Sequence, residues 1–216
     1  MQIKYLGHAS FLIKTKTAKV ITDPYDPKTV GLKFTKQDAD IVTVSHGHSD
    51  HNQHQQVTGT PLVIDLPGEY EKNGVRVFGF NSFHDKNQGK DRGENTLYKF
   101  EAEDISILHC GDLGHTFSDE LLDEIGDVDI LMIPVGGHFT IDAADAVEII
   151  KAVDPSIVIP MHYNHKDLNQ DTFKVIAPLD DFLKKYGANG VEPVDQLTLK
   201  KEDLTDETKL VVMKVT

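Results

Sequence analysis

The chain has little that could crosslink it, anchor it in lipid or draw it to a polyanion. Its single cysteine, Cys110, excludes an intrachain disulfide and fits a reducing compartment. No apolar run approaches the roughly 20 residues that a membrane helix needs. Met1 to Lys4 passes straight into an apolar alternation, without the pattern of a secretion leader. The expectation is a cytoplasmic protein with no membrane association. Basic residues are the minority: 22 lysines and arginines face 35 acids, a formal net charge of −13. Such a field repels nucleic acid unless cations are concentrated locally. The densest basic stretches, around Lys14 to Lys19 and at Lys184 and Lys185, are short and interrupted. No nucleic-acid partner is expected. A small-molecule substrate is, and an anionic one stays compatible because bound divalent cations would invert the local field. Self-association is left open. Tryptophan is absent, whereas histidine is in excess at 11 residues, most of them beside glycine or acids at the ends of apolar runs.

The 216 residues suit one domain spanning 1–216, and a hydrophobic content of 39% suffices for a core. Ile3 and Tyr5, then Phe11 and Ile13, alternate with polar neighbours around Gly7, the pattern of a hairpin. Short β-branched or aromatic runs follow at Val20 to Asp23, stopped by Pro24, and at Asp40 to Ser45, Leu62 to Ile64, Val75 to Phe83, Asn95 to Phe100 and Ile105 to His109. The polar stretch Asp85 to Glu94 reads as an exposed loop. The period then changes. Ser118 opens a helix, Ile130 to Val135 is a strand, Asp142 to Val153 a second helix and Ile157 to Met161 another strand. Asp171 to Tyr186 reads as mostly helical with a break at Pro178, and Leu210 to Val215 as a closing strand. Strand runs followed by helices interleaved with strands predict two packed sheets with helices outside, a sheet-centred α/β (α+β) fold.

One motif carries chemistry. The run ending at Ser45 delivers His46-Gly47-His48-Ser49-Asp50-His51. Gly47 is expected to let the backbone turn tightly, and imidazoles with a carboxylate are the donors that zinc and similar ions take. Six residues cannot wrap four ligands round one ion and leave room for substrate. Two neighbouring ions, one taking His46 with His48 and the other Asp50 with His51, suit the spacing better. Further donors stand at other strand ends: His84 after Phe83, Asp112 in His109-Cys110-Gly111-Asp112, and His162 after Met161. A lone histidine at a strand end is more often a surface residue, and a lone aspartate after glycine is usually turn chemistry. Gathered at one sheet edge, they would complete the site.

These residues resemble the HxHxDH signature and the later motifs of the metallo-β-lactamase superfamily. Asp23 in Ile21-Thr22-Asp23-Pro24 is similar to its buried first-motif aspartate. Gly7-His8-Ala9, Gly136-Gly137-His138-Phe139-Thr140 and Pro160-Met161-His162-Tyr163 are similar to the small metal-dependent hydrolases that include ascorbate-6-phosphate lactonase-like proteins. The resemblance runs from about Gly7 to Tyr163. It implies a four-layer αβ/βα sandwich and two divalent ions, Zn²⁺ first, with Mn²⁺, Fe²⁺ or Ni²⁺ acceptable to the same donors. It also implies that His46, His48 and His84 hold one ion and Asp50, His51 and His162 the other, with Asp112 bridging. His109 competes with His84, which is preferred because His109 falls within its strand.

The function this implies is hydrolysis of a lactone, ester, amide or phosphodiester by metal-activated water. Asp50 would orient the nucleophile or accept its proton. His138 and His8 would contact substrate or steady the oxyanion, although each could equally be a structural histidine beside a glycine turn. Asp23 and Asp85 are the acceptors expected behind the ligand imidazoles. His54 and His165 read as surface residues, and His115 stays undecided. Two other classes compete: a di-iron redox enzyme on the same fold, which carries glutamate where His48 stands, and a catalytically idle metal-binding protein.

Overall fold

Apolar alternation builds the first sheet. In a computed structural model describing residues 1–216, strands β1 (Gln2–Gly7) and β2 (Ser10–Lys14) form the expected hairpin, with Tyr5 opposite Phe11 and an irregularity between Tyr5 and Gly7. Strand β3 (Lys19–Thr22) continues antiparallel, and the short β4 (Ile41–Thr43) and β5 (Leu62–Ile64) add in parallel.

The second sheet begins as a meander of β6 (Gly68–Lys72), β7 (Val75–Phe83), β8 (Glu94–Ala102) and β9 (Ile105–His109). It then turns parallel through β10 (Ile130–Pro134) and β11 (Ile157–Met161). Parallel neighbours need crossovers. These are helices α2 (Asp119–Ile125) and α3 (Ala143–Val153). The Ser118 hydroxyl accepts from the Leu121 N–H at 3.3 Å, and the Asp142 carboxylate accepts from Ala144 and Asp145 at 2.8 and 3.0 Å. Strands β10 and β11 are buried along their whole length, as strands covered on both faces must be.

Helices cover both outer faces. Val30 of α1 (Pro27–Val30) and Phe173 of α4 (Gln170–Phe173) join Leu12, Ile21 and Val42 in a core outside the first sheet. Helix α5 (Leu179–Tyr186) packs on α3 and buries Phe182. Between the sheets, Ile3, Phe11, Val20, Val77, Leu97 and Ile107 fill the middle. Two short strands, β12 (Leu197–Thr198) beside β1 and β13 (Lys209–Leu210) beside β11, complete the sheets as six and seven strands. No helix is long and apolar enough to cross a membrane.

The break expected at Pro178 is present: the stretch from Asp171 to Tyr186 divides into α4 and α5, because Pro178 lacks an N–H and α5 starts directly after it. Two other readings of the sequence change. The tail pairs as a strand only at Lys209–Leu210, and beyond that makes single bridges from Met213 to Val194 and from Val215 to Tyr5. Strand β6, Gly-Glu-Tyr-Glu-Lys, was not expected, since its exposed polar residues carry no burial pattern at this sheet edge.

Candidate metal centre

Loops from both sheets meet at one edge. β4 runs into His46, His48, Asp50 and His51; β7 ends at His84; β9 leads to Asp112; β11 ends at His162; and the turn between β1 and β2 carries His8. His8, Asp23 and His162 have φ of 58°, 39° and 52°, a left-handed conformation costing non-glycine residues on the order of 1–3 kcal/mol each. Their surroundings enforce it. The His8 carbonyl accepts from the Tyr5 hydroxyl at 2.7 Å and from the His162 N–H at 2.9 Å, and the Asp23 N–H donates to the Thr43 carbonyl at 2.9 Å. Gly47 is not where tight approach matters: its φ is not positive, and a Cβ there would meet nothing within 4 Å. Gly114 and Gly136 are. A Cβ on Gly114 would collide with the His84–Asp85 backbone, and one on Gly136 with the His162 carbonyl.

The donor atoms fall into groups whose members lie within 4.8 Å of one another. One group is His46, His48 and His84. Another is Asp50, His51 and His162, joined by His8. Asp112 stands between them: Oδ1 is 3.2 Å from His51 Nε2, and Oδ2 is 3.3 Å from both His84 Nε2 and His162 Nε2 and 4.0 Å from His46 Nε2. All seven residues expected as ligands therefore converge. His8, read as a substrate contact or a structural histidine, lies inside the second group with Nε2 3.1 Å from Asp50 Oδ2. A histidine beside a glycine turn was the one signal for it.

Behind this surface, polar residues aim the donors. Asp23 accepts from His51 Nδ1 at 2.9 Å, from the Ser45 N–H at 2.8 Å and from the Ser45 hydroxyl at 2.6 Å. Ser45 Oγ in turn lies 3.0 Å from His46 Nδ1. Both imidazoles thus present Nε2 to the centre. Asn95 was missed by sequence reasoning, as a strand asparagine carries no motif. Its Oδ1 accepts the Asp112 N–H at 2.9 Å, while Nδ2 donates to Ser82 Oγ at 2.7 Å and the Cys110 carbonyl at 3.0 Å.

The donor set fits divalent cations. His51 Nε2 and Asp112 Oδ1 are both buried, face each other at 3.2 Å, and form no hydrogen bond. Unpartnered buried polar atoms are costly, and a cation shared between lone pairs satisfies them. Electrostatics point the same way. Burial, with the neighbouring His51, pushes His46 down to about 3, and burial with His162 pushes His8 down to about 4, so both are neutral donors. Burial opposes charge on His51 too, yet the Asp112 and Asp50 carboxylates pull its pKa up. Burial raises Asp112, but the His162 and His51 charges outweigh it and hold the carboxylate ionised.

The remaining histidines separate from this group. His109 Nε2 is 2.7 Å from the Ala9 carbonyl, buried in the core, which leaves His84 as the candidate donor at the centre. His115 is structural, accepting the Phe83 N–H at 3.2 Å and lying 2.8 Å from the Thr116 carbonyl. His54 and His165 are partly buried rather than free surface residues. The exposed His138 ring packs on Phe139 and belongs to no donor group. Asp85 supports no ligand imidazole. Its carboxylate accepts backbone N–H groups of Asn87, Gly89, Asp91 and Arg92 at 2.7, 2.9, 3.0 and 2.8 Å, knotting the loop that follows His84.

A two-sheet sandwich with this His/Asp edge defines a class of protein, and sequence comparison agrees: the chain belongs to the β-lactamase superfamily, whose domain model, "Beta-lactamase superfamily domain", matches residues 2–162. Nearer relatives carry the name UPF0173 metal-dependent hydrolase. One from Carboxydothermus hydrogenoformans is 31% identical over 88% of this chain and 94% of its own length. Another, from Pyrococcus horikoshii, is 30% identical over 76% of this chain and 85% of its own. Among solved structures, a metallo-β-lactamase superfamily member from Thermotoga maritima, assigned as a Zn-dependent hydrolase, is 37% identical with a TM-score of 0.81, over 98% of this chain and 97% of that one.

Proposed function

We propose that the protein is a dinuclear metal-dependent hydrolase of small molecules, acting on a lactone, ester, amide or phosphodiester. The observation that carries this reading is Asp112, whose two carboxylate oxygens face imidazoles from three different loops between two donor groups. His46, His48 and His84 would hold one ion, Asp50, His51 and His162 the other, and Asp112 both; zinc is the first choice, given the assignment of the Thermotoga relative. Divalent cations bound there supply Lewis acidity, bringing the pKa of water toward neutrality and polarising the electrophile.

The chain's own groups do the rest. Asp50 keeps 18% of its side chain exposed, so its carboxylate can reach a nucleophilic water and take its proton. His8 holds Asp50 Oδ2 at 3.1 Å and fixes its direction. His138, exposed beside Phe139, would contact substrate and steady developing negative charge.

The test is hydrolysis by protein reconstituted with Zn²⁺ or Mn²⁺ across lactones, aryl esters, amides and phosphodiesters. EDTA-sensitive turnover of at least one class is expected. Fully loaded protein that hydrolyses none of them contradicts the reading.

A further inference from the structure

We propose that Arg92 is an anion-recognition residue of the substrate site, so that the substrate carries a carboxylate or phosphate group remote from the scissile bond; this deepens the hydrolase reading and rests on it. The chain has only two arginines. Arg76, in β7, is paired with Glu101. Arg92 has no carboxylate partner, although acids outnumber basic residues by 35 to 22. Its charge is therefore left for a group from outside the chain to meet.

Its place is specified by the fold. The Arg92 N–H donates to Asp85 Oδ2 at 2.8 Å, and the carbonyl of the next residue, Gly93, accepts the His84 N–H at 3.0 Å. The backbone is therefore fastened directly beside a candidate ligand. Lys86 ties the same loop to α3 through Asp145 at 2.7 Å. From this anchor the side chain crosses to the opposite loop, where Nη2 donates to the His138 carbonyl at 3.1 Å and the guanidinium lies 5.0 Å from the Phe139 ring centre. Phe139 meets Phe173 edge-on at 6.4 Å, and Phe173 meets His8 at 5.0 Å and His162 at 6.4 Å. Arg92 thus stands over the aromatic wall that backs the second donor group.

A guanidinium has five N–H donors in a rigid fork; the contacts here occupy one of them. Stacking on an aromatic face fixes its plane without consuming the others. A half-buried fork with free donors, on the aromatic rings that pack against His8 and His162, matches a carboxylate or phosphate in geometry and charge. A merely structural arginine would need only the His138 and Phe139 contacts, and would be indifferent to substrate charge.

The experiment uses two aryl esters with the same leaving group on zinc-loaded protein: mono-4-nitrophenyl succinate, which carries a distal carboxylate, and neutral 4-nitrophenyl butyrate. The ratio of kcat/KM for the anionic over the neutral ester should favour the anionic one. It should fall about tenfold in Arg92→Gln, the worth of one charge-assisted hydrogen bond, through KM more than kcat. Arg92→Lys, which keeps charge but not the fork, should be intermediate. Calorimetric titration with succinate and with methyl phosphate gives a readout free of turnover: one of them should bind at least about tenfold more weakly to Arg92→Gln, and which one identifies the anion. If esters are cleaved but neither ratio nor binding depends on Arg92, the anion site is overturned and the hydrolase reading stands. If neither ester is cleaved yet anion binding depends on Arg92, the anion site stands and the hydrolase reading loses support. If neither anion binds the wild-type protein and the ratio is unchanged in Arg92→Gln, the proposal fails.

Discussion

Asp23 holds His51: carboxylate Oδ2 accepts from imidazole Nδ1 at 2.9 Å, with both side chains fully buried. The pair lies across the seam between β3 and the His46–His51 loop, and it turns His51 Nε2 toward Asp112. Asp23→Asn keeps the shape but loses the charge that orients the ring. Zinc affinity should fall by about 10–100-fold, the usual effect of removing an acceptor behind a ligand imidazole. Competition with a chromogenic chelator measures it, and an unchanged affinity would mean that His51 is oriented by other contacts.

Asp112 is the side chain shared between the donor groups. Asp112→Ala should abolish hydrolysis and reduce bound metal, while far-ultraviolet circular dichroism stays that of the folded protein, because the strands on either side are packed independently of it. Retained turnover would remove it from the centre.

Asn95 is 1% exposed and joins β8 to the Asp112 turn with two hydrogen bonds and to Ser82 of β7 with a third. Asn95→Ala leaves buried partners unsatisfied and should cost about 1–3 kcal/mol in urea unfolding. It should lower kcat more than it raises KM, since Asp112 moves while the pocket rim does not. Wild-type stability in this variant would show that Asp112 is fixed by its own turn.

Metal-free protein should lose stability as pH falls from about 6.5 toward about 4. His46 and His8 are depressed to about 3 and about 4 in the fold against 6.5 when unfolded. Across that window the unfolded chain therefore binds more protons. His51, raised above 6.5, is protonated in both states there and does not offset the loss. Thermal unfolding in EDTA at stepped pH checks this; a midpoint independent of pH between 6.5 and 4 would mean these imidazoles are not buried neutral.

Much of the site was legible because metal donors obey chemistry that spacing reveals. His46, His48, Asp50 and His51 occupy one loop, and His84, Asp112 and His162 each follow an apolar run. The strands were legible for the same reason, as β10 and β11 are continuous apolar segments. What stayed hidden depends on distance in space. Asn95 and Arg92 sit in ordinary polar surroundings in the sequence, and only folding sets one behind Asp112 and the other over Phe139. Asp85 looked like support for a ligand because it follows His84, yet its carboxylate faces its own loop. Strand β6 escaped because an exposed edge needs no apolar alternation.

The most direct measurement is the metal content of the purified chain after equilibration with Zn²⁺ and removal of excess, by plasma emission spectroscopy. Close to two ions per wild-type chain are expected, and clearly fewer for Asp112→Ala. Wild-type protein that retains none, or an Asp112→Ala variant that keeps the full complement, would contradict the assignment of these histidines and aspartates to a shared two-metal centre.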